Sequence, residues 1–258
     1  LSTVDDNIHK TQQVIDKTDE LKRGLMQQLL MRGIGHTKFK QTEIGEIPEE
    51  WEISGIEKLV SKSKNAIKTG PFGSSLKKEF FVKRGYRVYG QEQVIPDDFS
   101  VGNYYIDEKK FQELRNYEVK PGDVLISLVG TYGKVSVVPH DIERGIINPR
   151  LLKISPDNNK VVPAYLKYLL TSEFVRGQIA RRTHGATMGI LNLNIVRELM
   201  FPIPSLEEQH EITKILLAFE HKFLIEKQRK EQLEELKKGL MQVLLTGKVR
   251  VKVGQEAH

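Results

Sequence analysis

The chain has 258 residues, 39% of them hydrophobic, which is enough for a globular domain with its own core plus extended elements. It contains no cysteine, which excludes disulfides, cysteine-ligated zinc and thiol catalysis, and no apolar run near the length of a transmembrane helix. The formal net charge of +6 is compatible with a polyanionic partner, although many proteins without one reach this value.

The first 36 residues are expected to form one long helix. Apolar or small side chains recur at alternating steps of four and three residues, and a leucine stripe continues the pattern: Val4, Ile8, Thr11, Ile15, Thr18, Leu21, Leu25 and Leu29. Such spacing is typical of the seam of a coiled coil or a helical hairpin. Gly33 and Gly35 then end the helix.

Residues 37–204 are expected to form an α+β globular domain with a mixed β-sheet. Short apolar runs alternate with turns, as in residues 119–127, 134–138 and 151–154, where a Pro-Gly turn precedes the first strand. Residues 162–179 have helical spacing instead. A segment of this length is large enough for its own core.

A second long helix is expected over residues 205–250, followed by a tail at 251–258. Ser205 and Glu208 form a capping-box pattern, and Gly247 marks the end of the helix. Two apolar stripes run along it: Ile212, Ile215, Leu216, Phe219 and Phe223, and then Leu233, Leu236, Leu240 and Leu244. At 1.5 Å per residue this helix is on the order of 60 Å long, so it needs a partner helix.

The two helices contain a repeated segment. Residues 20–30 match residues 235–245 except at Arg23/Lys238 and Gln28/Val243. A repeat at an offset of 215 residues indicates that a unit of helix plus domain was duplicated. Convergence of two leucine-rich coiled coils would not reproduce the shared Lys-x-Gly-Leu-Met-Gln.

Five motifs in order carry a resemblance to a known family. They are the two helix ends with Lys-x-Gly-Leu-Met-Gln, Ile47–Trp51, Thr69-Gly70-Pro71-Phe72-Gly73-Ser74-Ser75-Leu76, Pro121-Gly122-Asp123-Val124-Leu125, and Ile203-Pro204-Ser205-Leu206-Glu207-Glu208-Gln209 with Ile212. Together they resemble the specificity subunit of type I restriction-modification enzymes, over essentially the whole chain.

The resemblance implies a function without chemistry. A subunit of this family has two target-recognition domains, each reading one half of a split DNA site, and two long helices that space them and bind modification (methyltransferase) subunits. We therefore expect a non-catalytic, cytoplasmic protein with no cofactor and no membrane contact. Its expected partners are double-stranded DNA, modification subunits, restriction subunits through them, and a second copy of itself through the helices.

The chain carries one such domain between two helices, which pack in the expected architecture as an antiparallel hairpin with the domain at one end. At the offset of 215, Leu1 aligns with Leu216, so the first helix lacks the counterpart of residues 204–215. We expect the C-terminal half of a longer subunit, with a natural half subunit as the alternative.

The turn at residues 70–75 is one predicted DNA contact. Its glycines let the backbone approach a phosphate, Ser74 and Ser75 can donate to it, and Lys77 and Lys78 can neutralise it. A purely structural turn before a helix fits the same residues.

Residues 86–93 alternate like a strand, so that Gln91 and Gln93 would share one face. Gln can bond an adenine edge and Arg87 a guanine edge, while an exposed polar strand without a ligand is equally compatible. Asn148 and Arg150 are weaker candidates.

The segment 180–189 is basic and then glycine-rich. Arg181 and Arg182 are expected on phosphates, with His184 and Thr187 in the loop that enters a groove. A solvated helix end is the alternative.

One enzymatic reading remains open, that of a magnesium-dependent nuclease with a coiled-coil dimerisation arm. Asp97 or Asp98, followed by Glu108-Lys109-Lys110, imitates the carboxylate and lysine pattern of metal-dependent nucleases. The spacing is short, and such runs are common in exposed loops.

Overall fold

The computed structural model describes residues 1–131, 133–182 and 191–246. The chain separates into two compact units: a helical unit, made of Leu1–Leu25 and the chain from Lys214 on, and a globular unit, Met26–Thr213. The helices are α1 (Ser2–Arg32), α2 (Ile56–Leu59), α3 (Gln91–Val94), α4 (Glu108–Glu113), α5 (Pro163–Thr171), α6 (Glu173–Arg182), α7 (Leu193–Arg197) and α8 (Leu206–Leu245). None of these helices, within the described residues, is long and apolar enough to cross a membrane.

The helical unit is an antiparallel pair formed by α1 and α8. Lys22 Nζ lies 2.8 Å from Glu220 Oε1, and Lys237 Nζ lies 2.6 Å from Asp5 Oδ1. Because the partner number falls as the α1 number rises, the two helices run in opposite directions. The predicted hairpin is therefore confirmed.

The seam predicted on α1 is buried in its middle. Thr11, Ile15 and Thr18 are 4%, 6% and 5% exposed. The second stripe predicted on α8 is not buried in the same way, since Leu236 is 51% and Leu240 37% exposed. The ion-pair register explains this difference, because it places these leucines opposite the first residues of α1.

The globular unit contains thirteen strands among its described residues. They are β1 (Phe39–Thr42), β2 (Gly45–Pro48), β3 (Glu52–Gly55), β4 (Ile67–Thr69), β5 (Phe81–Val82), β6 (Tyr86–Tyr89), β7 (Tyr105–Ile106), β8 (Glu118–Val119), β9 (Val124–Ser127), β10 (Val135–Val137), β11 (Gly145–Ile147), β12 (Leu151–Ile154) and β13 (Met200–Ile203). The strands predicted within 119–127, 134–138 and 151–154 are present as β8 and β9, β10 and β12.

The strands form two larger sheets and two ribbons. The four-stranded sheet has the order β10-β9-β12-β4 and is antiparallel throughout. The five-stranded sheet has the order β5-β7-β6-β11-β8, and its β6–β11 pair is parallel while the others are antiparallel. The ribbons are β1-β2 and β13-β3. This confirms the α+β class with a mixed sheet.

Apolar side chains from both larger sheets make the core of the globular unit. One cluster joins Tyr89, Leu125 and Ile147, which are all 0% exposed. Strands β9 and β12 are buried at every residue, including the polar Ser127 and Lys153, because both of their faces are covered. The stretch 162–179, for which helical spacing was predicted, forms parts of two helices, α5 and α6, which are separated at Ser172, and α5 buries its apolar face.

The predicted capping box at the start of α8 is formed only in part. Ser205 Oγ accepts from the backbone N–H of Glu208, as predicted. The Glu208 carboxylate instead accepts 2.9 Å hydrogen bonds from the Ile34 backbone N–H and from Trp51 Nε1, and contacts His36 Nε2 at the same distance. The acid therefore ties the start of α8 to the segment after α1.

Gly33 lies at this junction with a φ of +65°, a left-handed conformation that favours glycine. A Cβ there would lie 2.3 Å from a Glu208 carboxylate oxygen and 2.6 Å from the Trp51 ring. A side chain at this position would displace the acid, which explains why the first helix ends at a glycine.

Candidate nucleic-acid interface

Four loops meet at one end of the four-stranded sheet. Strand β4 is followed by Gly70, whose N–H donates to Leu151 O at 2.9 Å, and β9 is followed by Leu128, whose N–H donates to Arg150 O at 2.9 Å. From the five-stranded sheet, Tyr89 O accepts from Asn148 N–H at 2.8 Å. We call the residues gathered here, 70–75, 90–93, 128–131 and 148–150, the loop edge.

The loops at this edge are in van der Waals contact through the backbone. A Cβ on Gly70 would lie 1.8 Å from the carbonyl oxygen of Asn148, so only glycine allows this approach. The Asn148 amide group also lies against Gly90. The glycine predicted to approach a phosphate is thus used, at Gly70, to bring two loops of the protein together.

Five of the predicted DNA-contacting residues lie at the loop edge. Ser74 and Arg150 are exposed, and Ser75, Gln91 and Asn148 are half-buried. Two of these side chains also shape the edge: Asn148 Oδ1 accepts from Arg150 N–H at 2.9 Å, and Gln91 Nε2 donates to Val129 O. Residues from three separate parts of the sequence therefore share one surface.

Cationic groups lie on and beside this surface. Within the described residues, no hydrogen bond or ion pair is formed by the guanidinium of Arg150, whose backbone N–H donates to Asn148. Lys77 and Lys78 follow the 70–75 loop and are exposed, and Lys77 Nζ lies 3.8 Å from a Glu79 carboxylate oxygen. These charges are available to an anionic ligand.

Arg87 and Gln93 are buried and are not exposed at this surface, which corrects the predicted alternating strand over residues 86–93. The strand ends at Tyr89, and Gln91–Val94 is a helical turn. Because a helical turn does not alternate, Gln91 is half-buried at the edge while Gln93 is 0% exposed.

The buried pair holds neighbouring loops in place. Gln93 Oε1 accepts from Gly90 N–H at 2.7 Å, and its amide donates to Val101 O at 2.8 Å. Arg87, 5% exposed, lies 2.6 Å from Glu143 and donates to the carbonyls of Ser100, Val101 and Gly102. Both are positioning residues, because the Arg87 Nη atoms and the Gln93 amide bind groups inside the domain.

The two arginines at the basic end of α6, both predicted to contact phosphates, lie in different environments. Arg181 is exposed. Arg182 Nε lies 3.2 Å from a Glu198 carboxylate oxygen, and its Nη2 donates to Glu198 O at 3.0 Å, so it fastens α6 to the turn before β13. His184 and Thr187 lie outside the described residues.

The carboxylates that the nuclease alternative assigns to a metal site make separate local contacts. Asp97 pairs with Lys167 at 2.8 Å, and hydrogen bonds from Ser100 hold the pKa of Asp98 below its usual range. Hydrogen bonds from Gln112 and Tyr86 likewise lower the pKa of Glu108. In the part of the chain that the structure describes, no three His, Asp or Glu side chains are grouped to hold a metal ion.

The loop edge also carries apolar side chains that the sequence analysis did not single out. Phe72 is 85% exposed and Val129 44% exposed. The only available sequence signal was the position of Phe72 between Pro71 and Gly73 in a turn, since turns seldom bury a large side chain.

Comparison with known proteins connects this architecture to one family. The family model of the type I restriction modification DNA specificity domain matches residues 48–235. Over 98% of its length the chain is 28% identical to the type I restriction enzyme MjaVIII specificity subunit of Methanocaldococcus jannaschii, of which it covers 59%.

Solved structures show the same fold. The chain aligns over 96% of its length with the HsdS subunit from Thermoanaerobacter tengcongensis, with a TM-score of 0.61, 14% identity and 57% of that chain covered. A chain solved in work on complex assembly and conformational transition of the type I R-M system gives a TM-score of 0.65, at 15% identity and with 56% of it covered. The present chain thus spans little more than half the length of the proteins that it matches.

Proposed function

Because the chain belongs to the family of type I restriction modification DNA specificity domains, we propose that it reads one half of a split DNA site and performs no chemistry itself. The recognition domain is residues 37–204 in this proposal. Residues 1–36 and 205–250 are the spacer helices, and 251–258 is a tail.

One observation carries the proposal. Ser74, Gln91, Asn148 and Arg150 come from distant parts of the sequence, yet the loop edge presents them together. Amide side chains suit base edges, while hydroxyls and guanidinium groups suit phosphates, so the set has the composition of a DNA-reading surface.

A binding assay across salt concentrations tests the proposal. We expect the chain to select a preferred sequence from a pool of random duplexes. A variant with Lys77, Lys78 and Arg150 all changed to Ala should bind every duplex more weakly and with a flatter salt dependence, because it loses phosphate contacts. Arg176→Ala is a control, since Arg176 is exposed but paired within α6 to Glu173. Failure of the parent chain to prefer any sequence would refute DNA reading.

The same preparation distinguishes this proposal from the nuclease alternative. We expect neither magnesium-dependent cleavage nor methyl transfer from S-adenosylmethionine by the pure chain. Cleavage that disappears in the variant with Asp98→Asn and Glu108→Gln would favour the nuclease.

We further propose that the helical unit binds modification subunits, and restriction subunits only through them. Apolar side chains that remain exposed along α8 support this docking role: Leu217, Leu224, Ile225, Leu236, Leu240 and Met241. Co-purification of the chain with a modification subunit, lost on changing these leucines to lysine, is the expected result.

The split site is supported by an internal symmetry of the helical unit. At the repeat offset of 215, Lys22 corresponds to Lys237 and Asp5 to Glu220, and the pairs Lys22–Glu220 and Lys237–Asp5 are both formed. The pattern therefore recurs with the roles of the helices exchanged, which supports a second recognition domain from a longer chain or a second copy of this one.

The length of α8 gives an expected spacer. Its 40 residues span about 60 Å, more than the roughly 35 Å of one DNA turn. The two half-sites should thus be separated by base pairs that the protein does not read, and substitutions in this spacer should leave affinity unchanged.

A further inference from the structure

Phe72 is the most exposed large apolar side chain in the part of the chain that the structure describes, at 85%. It stands in the 70–75 turn, directly before a 3-10 turn over Gly73–Ser75. Exposure of a whole phenyl ring to water is unfavourable, so a ring in this position suggests a ligand with an apolar face.

The turn that presents the ring is held by its own hydrogen bonds. Ser75 N–H donates to Phe72 O at 2.8 Å, and Gly70 N–H donates to Leu151 O at 2.9 Å. Pro71, which directly precedes Phe72 in the sequence, is buried, and Leu76, which follows the turn, is 8% exposed and packs into the core. The ring is therefore held outward by a pre-organised turn, which lowers the entropy cost of using it in binding.

The chemical surroundings of Phe72 favour nucleic acid over an apolar protein surface. Segments 70–75, 128–131 and 148–150 contain no carboxylate and include the exposed guanidinium of Arg150. The one acid of the loop edge, Glu92, contacts the Gln93 amide at 3.4 Å. An aromatic ring on a surface with exposed cations and hydroxyls matches a ligand that alternates flat bases with phosphates.

We propose that Phe72 presses its ring against a base of the target DNA and is a specificity-determining residue of the loop edge, with Arg150 on an adjacent phosphate. This inference rests on the proposed DNA-reading function. Stacking on a base or contact with a thymine methyl group would each use the same exposed ring.

Four single variants of the full chain test the inference: Phe72→Ala, Phe72→Leu, Arg150→Ala and, as a matched control, Tyr104→Ala. Tyr104 is another exposed aromatic, 51% exposed, and packs on Phe81 beside the five-stranded sheet. Binding is measured at several salt concentrations for the duplex that the parent selects from a random pool and for a scrambled duplex. Fluorescence of Trp51, the one tryptophan, verifies that each variant is folded.

Loss of the ring should weaken binding to the selected duplex by about ten-fold, with a smaller loss for the scrambled duplex. The salt slope should stay unchanged, because Phe72 neutralises no phosphate. Arg150→Ala should weaken binding to both duplexes and reduce the slope by about one. We expect Phe72→Leu to lie between Phe72→Ala and the parent, and Tyr104→Ala to match the parent.

Other outcomes separate the inference from the function on which it rests. If Phe72→Ala binds the selected duplex like the parent while Arg150→Ala is weakened, the inference is wrong and DNA reading stands. If Phe72→Ala keeps its DNA affinity but no longer co-purifies with a modification subunit, the ring is a protein contact and the inference is again overturned. If the parent binds no duplex, the proposed function itself fails.

Discussion

The two copies of the repeated helix segment begin alike and end differently. At the first leucine of each copy, Leu21 and Leu236 are 59% and 51% exposed. At the last, Leu30 is 1% exposed in the globular unit, whereas Leu245 is 82% exposed in the helical unit. Nearly identical sequences thus end in opposite environments. The apolar pattern specifies a helix, but it does not specify which of its side chains are buried by the rest of the protein.

The largest effect that follows from this comparison is on the stability of the globular unit. Leu30→Ala should cost about 2–5 kcal/mol, because it removes a buried side chain and leaves a cavity. Leu245→Ala should change the free energy of unfolding by no more than about 0.5 kcal/mol, as is usual for exposed sites. Urea unfolding followed by Trp51 fluorescence measures the free energy of unfolding of both variants. Equal losses of stability would show that Leu245 in the second copy is buried as Leu30 is.

The carboxylate that anchors the chain after the first copy should be the next most sensitive group. Glu208→Ala leaves Trp51 Nε1 and the Ile34 N–H without their acceptor, and we expect a loss of about 3 kcal/mol. Glu208→Gln retains an acceptor oxygen and should lose less. Its exposed neighbour offers the control Glu207→Ala, for which the unfolding midpoint should not move.

The two symmetry-related ion pairs should contribute less to stability than Glu208 does, and their two contributions should differ. A double-mutant cycle on each should give about 0.2–1 kcal/mol, the range for solvent-accessible pairs. The Lys22–Glu220 side chains are 24% and 28% exposed, against 38% and 47% for Lys237–Asp5, so the first coupling should be the larger. Coupling energies of zero for both pairs would contradict the antiparallel register of the two helices.

The smallest effect on stability is expected at the exposed leucines of the second copy. Leu236→Lys and Leu240→Lys should leave the unfolding of the globular unit unchanged within about 0.5 kcal/mol. Assembly with a modification subunit should nevertheless be lost, and size-exclusion chromatography of the mixture measures it. Thr3→Lys, at an exposed polar position on α1, is the matched control. If both leucine variants assemble fully, the docking surface does not include Leu236 and Leu240.

The helical hairpin shows how far periodicity alone can be used. The alternating steps from Val4 to Thr18 predicted a buried seam, and Thr11, Ile15 and Thr18 are buried. The same rule failed at Leu236 and Leu240, which lie opposite only the first residues of α1, because periodicity does not specify how far a partner helix covers a stripe.

The candidate site shows a similar division. The turn motif and the residues Ser74, Gln91 and Arg150 were chosen from the sequence, and all three lie at the loop edge. Arg87 and Gln93 were chosen by the same reasoning and are buried. Side-chain chemistry identifies what a residue can bind, but it does not show whether groups of the protein itself already occupy that side chain.

The two helices, the α+β domain between them, the repeat and the family could be predicted from the sequence, since each is encoded in local spacing or in motif order. Three features are visible only in the folded chain: four loops form one edge, Phe72 points outward, and Glu208 joins the start of α8 to the segment after α1. Glu208 and Ile34 are 174 residues apart. Contacts over such distances depend on how the sheets pair and pack, and no short stretch of sequence carries that information.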